Sequence, residues 1–525
     1  MLPKEYSDNV KGMIDDLKAL STDLGLSNTG DEYKIISELF TYKFLNDKLI
    51  YEFEHREDKE ETLEEFAYYA SSSTVSMKEE HFVHNLFHKQ GEKNFHVIFD
   101  KALEEVSEMN KDVYSVETAM GNKKPLFEPL KSYLRDEDKE LELAKRAINI
   151  LHTHKFSSIY DGGFDFFSSI FEYLIKDYNK DSGKYAEYFT PLSAGKIIAE
   201  ILYNNTPVSN VTVYDPAAGS GTLLLSMADK IGTNNCTIYS QDISQKSTQF
   251  LRINLILNRL AHSLHNVKEG NTLTMPAHKE GDDLMKFDFI VSNPPFKTDF
   301  SSMVETLNVD AYNRFFAGIP KTPDKKKESM AIYLVFLQHI ISSLKENGRA
   351  AIVVPTGFLT AKSKIEYMIR RQLIDNKMLK GVVSMPSNIF ATTGTNVSIL
   401  FLDKTNTEGE IILIDASKMG KKIKDGKNQR TILSPEEEQL VIDAFIKKEK
   451  IDDLSVLVNH KDIQKKDYSF SAGQYFEVKI SYVEISNEEY NIRIGKYRDN
   501  LKNYFQEGNR LENGIMKSLG ELFYE

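Results

Sequence analysis

The sequence predicts an α/β chain: an open, largely parallel sheet with helices between its strands, a helical region before it and a helical tail after it. Three observations carry this. Asp288-Phe289-Ile290-Val291-Ser292 is a short, apolar, β-branched run stopped by Pro294-Pro295, as a buried parallel strand would be. Val211-Thr212-Val213-Tyr214-Asp215 leads through the small-residue turn Pro216-Ala217-Ala218-Gly219-Ser220-Gly221 into a helix, and a second strand closes on Asp242, the rhythm of a βαβ unit. At both ends of the chain apolar residues instead recur at three- and four-residue steps, the helical period.

Composition sets the outer bounds. The 525 residues suffice for two to four domains with a real core. One cysteine, Cys236, excludes a disulfide framework or a Cys-based zinc site and suits a reducing cytoplasm. No apolar run approaches membrane-spanning length and no leader follows Met1, so neither a membrane span nor a secretion signal is expected. A net charge of −12 lacks the basic footprint of a protein that grips DNA alone, so a nucleic-acid function would need a partner for much of the grip.

Residues 1–155 read as helical. Tyr6, Val10, Met13, Ile14, Leu17, Leu20 and Leu24 form one stripe; Asp31 opens a second helix with Ile35, Ile36, Leu39, Phe40, Phe44, Leu45 and Leu49 on one face. The region shows no catalytic pattern and suits packing or docking, with the run Asp58-Lys59-Glu60-Glu61 solvated. From Gly162-Gly163 the style changes. Thr190-Pro191 predicts a loop feeding a helix, Thr190 as N-cap and Pro191 at the first helical position, and the aromatics Tyr185, Tyr188 and Phe189 before it suit either core or a small flat ligand.

A third strand is expected to end near Gly270-Asn271. The basic stretch 321–328 reads as a solvated loop or as one that touches phosphate, and a helix with Met330, Tyr333, Phe336, Leu337 and Ile340 as ending at Asn347-Gly348. Strands are expected at 350–354, 381–385 and 397–402; Phe390, in the loop between the last two, is either an ordinary aromatic or one side of a clamp on a base. Beyond Lys422 the alternation is expected to lapse, with 421–430 a charged loop. From Glu488 a coiled-coil-like seam runs through Tyr490, Ile494, Tyr497, Leu501, Tyr504, Leu511, Ile515 and Leu522, with Gly508 and Gly514 arguing against one unbroken helix.

The chemistry gathers at strand ends, where open α/β sheets bind ligands. Asn293, Pro294, Pro295 and Phe296 suit a poor nucleophile such as the exocyclic amine of adenine. The Asn293 side-chain oxygen and the Pro294 carbonyl would accept its two N–H bonds and aim its lone pair, while Phe296 would stack on the extruded base. The turn Gly219-Ser220-Gly221 lets a ligand approach the backbone but is not the full dinucleotide fingerprint, because position 224 is leucine. Asp215 favours a positively charged or hydroxyl-bearing ligand, S-adenosyl-L-methionine rather than NAD. Asp242, 21 residues after Gly221, falls where a ribose-binding carboxylate does, and Asn271 could reach an adenine ring.

The order Tyr188-Phe189-Thr190-Pro191, Asp215-Pro216-Ala217-Ala218-Gly219-Ser220-Gly221, Asn293-Pro294-Pro295-Phe296 resembles adenine-N6 DNA methyltransferases. More closely, the chain resembles the modification subunit of type I restriction–modification systems. That resemblance spans nearly the whole chain, including the stretch from Met385-Pro386 through Phe390 and Thr393-Gly394, and the tail from Phe505 to Glu525. It implies a Rossmann-like methyltransferase core at 156–460, a helical region at 1–155 and a docking tail at 461–525. It further implies a cofactor pocket lined by Glu187, Tyr188, Phe189, Thr190, Pro191 and Leu192 and by Ser220, Gly221 and Thr222, ribose held by Asp242, and adenine held by Asn293 to Phe296. Methyl transfer would be direct and metal-free. Two copies would join one specificity subunit, with a restriction subunit added for cleavage of DNA. The family often has arginine at Leu192 and glutamate at Asp242; the shorter acid leaves the ribose geometry open. The rival readings keep the site but methylate RNA or a protein glutamine, or make the chain a cofactor-binding scaffold.

Overall fold

A computed structural model describes residues 4–26, 31–56, 61–68, 75–118, 123–134, 136–156, 159–160, 169–170, 173, 190–390, 396–406, 408–425, 428–476 and 485–521. Gly162-Gly163, Tyr185, Glu187, Tyr188, Phe189, Thr393-Gly394, Leu522 and most of the acidic run at 58–61 lie outside the described residues. The chain forms two units, Met1–Tyr475 and Phe476–Glu525.

The first unit is built on an eleven-stranded sheet. In chain order its strands are β1 Val116–Thr118, β2 Lys123–Lys124, β3 Val211–Asp215, β4 Cys236–Asp242, β5 Val267–Glu269, β6 Phe287–Ser292, β7 Leu344–Pro355, β8 Leu379–Ser384, β9 Val397–Asp403, β10 Glu410–Asp415 and β11 Ser455–Asn459. Across the sheet they run β11-β10-β8-β9-β7-β6-β3-β4-β5-β1-β2. The centre, β5-β4-β3-β6-β7, is parallel, and β9 lies antiparallel between β7 and β8. Buried on both faces, these strands are apolar almost throughout, as Val397–Asp403 shows.

The helices named here are α1 Lys4–Asp23, α2 Glu32–His55, α3 Leu192–Tyr203, α4 Thr222–Ile231, α5 Gln245–Leu257, α6 Tyr333–Ser343 and α7 Asn487–Gly520. From β3 the chain steps through α4 to β4 and through α5 to β5, then returns across the sheet to place β6 on the other side of β3. The order therefore reverses at β3, so the carboxyl ends of β3 and β6 form the switch point at which open α/β sheets bind ligands. Asp215 ends β3, Asp242 ends β4 and Asn293 follows β6, so all three lie at the carboxyl edge of the parallel strands.

Several expectations are corrected. Residues 1–155 are not wholly helical: β1 pairs parallel with β5 and β2 antiparallel with β1, so this region extends the sheet. Helix α2 is buried all round from Ile35 to Leu49 rather than along one face. Its polar side chains are held by neighbours, Lys43 by Asp47 at 2.8 Å, while Asn46 accepts from the Val83 N–H and Asp47 from the Phe156 N–H. The helix after Met330 ends at Ser343, and β7 already runs through Asn347-Gly348. There the register against β6 slips, and a Cβ on Gly348 would lie 2.9 Å from the Phe287 carbonyl; close approach, not a helix end, requires this glycine.

The alternation also continues past Lys422. Lys421–Asp425 and Asn428–Ile432 form an antiparallel ribbon, too charged to read as strands from an apolar face. The helix Pro435–Ile446 follows, with Ser434 and Glu437 closing a capping box, and then β11. Residues 461–475 pack within the first unit, where Ile463 and Phe470 are fully buried. In the second unit α7 runs unbroken through Gly508 and Gly514, starts on the Ser486 cap, and leaves its apolar residues exposed. No helix among the described residues is long and apolar enough to cross a membrane.

Candidate active site

The turn after β3 is wound by its own side chains. Asp215 Oδ1 accepts from the Ala217 N–H at 2.9 Å, and Gly219 and Gly221 take the left-handed backbone (φ +53° and +86°) that lets the chain reverse into α4. A Cβ on Gly221 would meet Leu251 Cδ1 at 2.2 Å, so α5 leaves no room for a side chain there. Helix α4 opens at Thr222 with Gly221 as its cap, and its first N–H groups have no partner within the helix. Asp242 reaches across from β4: Oδ2 accepts from the Gly219 N–H at 2.9 Å and Oδ1 from the Ser244 N–H at 2.8 Å. Ser220 contributes its carbonyl, which accepts from Asn254 Nδ2 at 3.1 Å.

Burial pushes the Asp215 carboxyl up to about 7, with nearby Asp242 adding repulsion and the bonds from Ala217 and Ser292 offsetting part of the rise. Asp242 is raised too, again by burial. A cationic group beside Asp215 would relieve that cost, and the unused lone pairs of Asp242 suit hydroxyls. Acids beside free helix N–H groups fit a ligand that carries a cation, a carboxylate and a ribose.

The end of β6 is tied to this turn. Ser292, fully buried, donates its hydroxyl to Asp215 Oδ1 at 2.8 Å. Asn293 comes next, half-buried, and its Nδ2 donates to Thr190 Oγ1 at 3.1 Å. Pro294 is buried and Pro295 half-buried. Phe296, half-buried, meets Tyr333 edge-on at 6.4 Å between ring centroids; Tyr333 meets Phe358 the same way, and Phe358 meets Phe470. The ring is thus backed by a chain of aromatics.

Thr190 is not the N-cap. Pro191 takes an extended backbone (φ −66°, ψ 144°) that holds it outside the helix as the cap of α3, and Leu192 is the first helical residue. The Thr190 hydroxyl is thereby released to Asn293. Pro191 is buried and Leu192 half-buried.

Residues 163–484 match the family model described as N-6 DNA Methylase. The chain belongs to this family. Among its relatives is the methylase subunit of the type I restriction enzyme MpnII of Mycoplasma pneumoniae, 28% identical over 370 residues, which are 69% of this chain and 66% of that protein. Another is the methylase subunit of the type I restriction enzyme MjaVIII of Methanocaldococcus jannaschii, 24% identical over 92% of this chain and 80% of the relative. The chain thus spans just under two thirds of the MpnII subunit. The crystal structure of a type I restriction–modification methyltransferase subunit from Streptococcus thermophilus shares the fold, with TM-score 0.67 and 20% identity, over 90% of this chain and 99% of that one.

In this member of the family, Asn271 is engaged locally: Oδ1 accepts from the N–H groups of Leu273 and Thr274, and Nδ2 faces Met303 Sδ at 3.3 Å. Met303 belongs to the segment after Phe296, which a small apolar core of Phe300, Leu307, Met330, Ile332 and Leu273 holds against Ala217 of the turn. Buried Arg314 locks that segment. It pairs with Asp310 at 2.6 Å, donates to the carbonyls of Thr272 and Leu273, and lies 3.2 Å from His339, which in turn contacts the Tyr214 hydroxyl.

Sequence reasoning missed Ser292, Arg314 and Ile243. Ser292 was visible as the one hydroxyl in an apolar strand end. Ile243 is 67% exposed beside Asp242, an apolar side chain next to the carboxylate at the end of β4. Arg314 gave no sequence signal. Phe390 is buried in the main apolar cluster, and residues 321–327 are largely exposed, as a solvated loop is. Cys236 begins β4, buried, with burial pushing its thiol up to about 12, so it is no nucleophile at neutral pH.

Proposed function

We propose that this chain is the modification subunit of a type I restriction–modification assembly and transfers a methyl group to adenine N6 in DNA. The observation that carries the reading is the meeting of two strand ends: Asn293-Pro294 follows Ser292, and Ser292 is bonded to Asp215 at the head of the glycine turn. S-adenosyl-L-methionine would supply the methyl group on a sulfonium centre. Asp215 would face its cationic end, the N–H groups opening at Thr222 its carboxylate, and Asp242 its ribose hydroxyls, with Gly219, Ser220, Gly221, Pro191, Leu192 and Asn271 as lining. Asn293 Oδ1 and the Pro294 carbonyl would accept the two N–H bonds of the amine, turning its lone pair away from the ring and toward the methyl group. Phe296 would hold the flipped base by stacking, and Pro295 would keep the segment extended.

The type I assignment draws on the type I methylase subunits among the relatives and on the exposed seam of α7. We take the unit from Phe476 onward as the docking tail and residues 1–155 as a region serving the assembly. The partners would be DNA, a specificity subunit shared by two copies of this chain, and a restriction subunit, all in the cytoplasm. The test is nucleoside mass spectrometry on DNA incubated with S-adenosyl-L-methionine and the chain, with and without its specificity subunit. N6-methyladenine only with the partner supports the reading. Methylation by the chain alone overturns the division of labour. Cofactor binding without methylated DNA in either mixture overturns the substrate and turns attention to RNA or protein acceptors.

A further inference from the structure

We infer that Thr190 is a positioning residue for the transfer: its hydroxyl accepts from the Asn293 amide and anchors that side chain at the end of β6, with Oδ1 left for the target amine. This rests on the role of Asn293 proposed above. A primary amide has two ends of nearly equal size, and nothing in an Asn-Pro-Pro sequence says which end faces the substrate. An amine donating two N–H bonds needs the oxygen. The NH2 end would meet it donor to donor.

The structure anchors this amide at one contact, with the oxygen end left open. Nδ2 of Asn293 donates to Thr190 Oγ1 at 3.1 Å, and among the described residues no donor reaches Oδ1. The hydroxyl is itself fixed. Thr190 is 6% exposed and sits one residue before Pro191, which caps α3. Helix α3 packs on α4 so tightly that a Cβ on Gly195 would lie 2.4 Å from Ser226 Oγ. Helix α4 grows out of the glycine turn at Gly221, and Ser292 ties Asn293 to Asp215 at the other side of that turn. The amide is therefore clamped from two directions, by its backbone neighbour and by Thr190, to the same rigid body that forms the glycine turn. The hydroxyl need touch neither base nor methyl donor to matter.

The experiment compares Thr190→Val, Thr190→Ser, Asn293→Ala and the Thr190→Val/Asn293→Ala double variant in the full complex with the specificity subunit. Single-turnover methylation, DNA affinity and S-adenosyl-L-methionine affinity are measured for each. Valine keeps the shape and removes the acceptor. Thr190→Val is expected to slow the transfer step by about 10- to 100-fold, the scale of a misaligned catalytic group. Cofactor affinity is expected to stay within about threefold, and Thr190→Ser to recover most of the rate. In the Asn293→Ala background the valine change should add nothing, because the group it orients is gone. A Thr190→Val enzyme that transfers at the parental rate, or loses cofactor affinity in proportion to rate, overturns the inference, as does additivity in the double variant. If Asn293→Ala itself remains active, the proposed catalytic role fails first. If Asn293→Ala is inactive while Thr190→Val is normal, only the positioning role fails. Should Thr190→Val not fold, the rate of Thr190→Ser against Thr190→Asn, which offers the amide a displaced oxygen, decides the same point: equal rates overturn it.

Discussion

Ser292 and Asp215 stand at the ends of two neighbouring parallel strands, and the Ser292 hydroxyl donates to Asp215 Oδ1 at 2.8 Å with both residues out of solvent. The bond joins the segment that would hold the base to the segment that would hold the methyl donor. It also helps an acid stay ionised where burial opposes it. Replacing Ser292 with alanine leaves Asp215 Oδ1 its bond from Ala217, so it should cost about 1–2 kcal/mol of stability, the scale of one lost hydrogen bond to a charged group, and should raise the Asp215 pKa further. Chemical denaturation and the pH profile of cofactor binding measure the two effects.

The Asp215 carboxyl sits at about 7 in the fold against an ordinary 3.8. Between those values the folded chain binds more protons than the unfolded one, so this group's contribution is full below pH 3.8 and is lost as pH rises through about 7. The change is on the order of 4 kcal/mol at most. Glu38, raised by burial to about 8, acts in the same direction and persists in an Asp215→Asn variant. Urea melts of the unliganded protein between pH 5 and 8 should therefore fall less steeply for Asp215→Asn than for the parent. Equal slopes would remove Asp215 as a source.

Phe296→Ala should weaken target-strand engagement by roughly 10- to 100-fold, matching the ~1–3 kcal/mol of a base–aromatic stack, while cofactor affinity holds. Phe296→Tyr should keep most activity. Equilibrium fluorescence with a base analogue at the target position separates these results.

Gly221→Ala combines a left-handed backbone at φ +86° with a Cβ 2.2 Å from Leu251 Cδ1. Destabilisation of about 2–4 kcal/mol is expected, with loss of cofactor binding. Adding Leu251→Ala would relieve the clash but not the dihedral, so thermal denaturation of the pair should show no full rescue.

Arg314→Met should cost about 3–5 kcal/mol, because Asp310 is left buried and unpaired and two carbonyls lose their donor. Arg314→Lys should recover little, since a single ammonium cannot reproduce the fork. Limited proteolysis within 297–332 reports whether that segment has loosened.

The strands that carry the site were legible because their signals are local. An apolar run halted by two prolines and a strand broken by glycines keep their meaning whatever packs around them. Asn293 and the turn at 219–221 could be placed at strand ends from residue type alone. The partners of those groups were not legible. Thr190 lies 103 positions from Asn293 and Ser292 lies 77 from Asp215, and nothing in either segment names the other. Asn347-Gly348 misled for a related reason. Glycine marks a helix end when helix precedes it, but here it answers a carbonyl on the adjacent strand, at Phe287. The ribbon at 421–432 carries charges where strands usually alternate apolar and polar, so its pattern was silent.

The hydrogen-bonded ladder from β4 through β5 to β1, with Glu117 opposite Lys268 and Thr118 opposite Glu269, makes the region before residue 156 part of the central sheet. A fragment beginning at residue 156 would keep every residue proposed for catalysis, yet would bare the short β5 edge and remove Phe40, Phe99, Leu103 and their neighbours from the apolar cluster they share with the sheet. Boundaries drawn from motifs alone would therefore cut through one shared apolar core, and the transferase part expressed in isolation would carry that apolar surface uncovered.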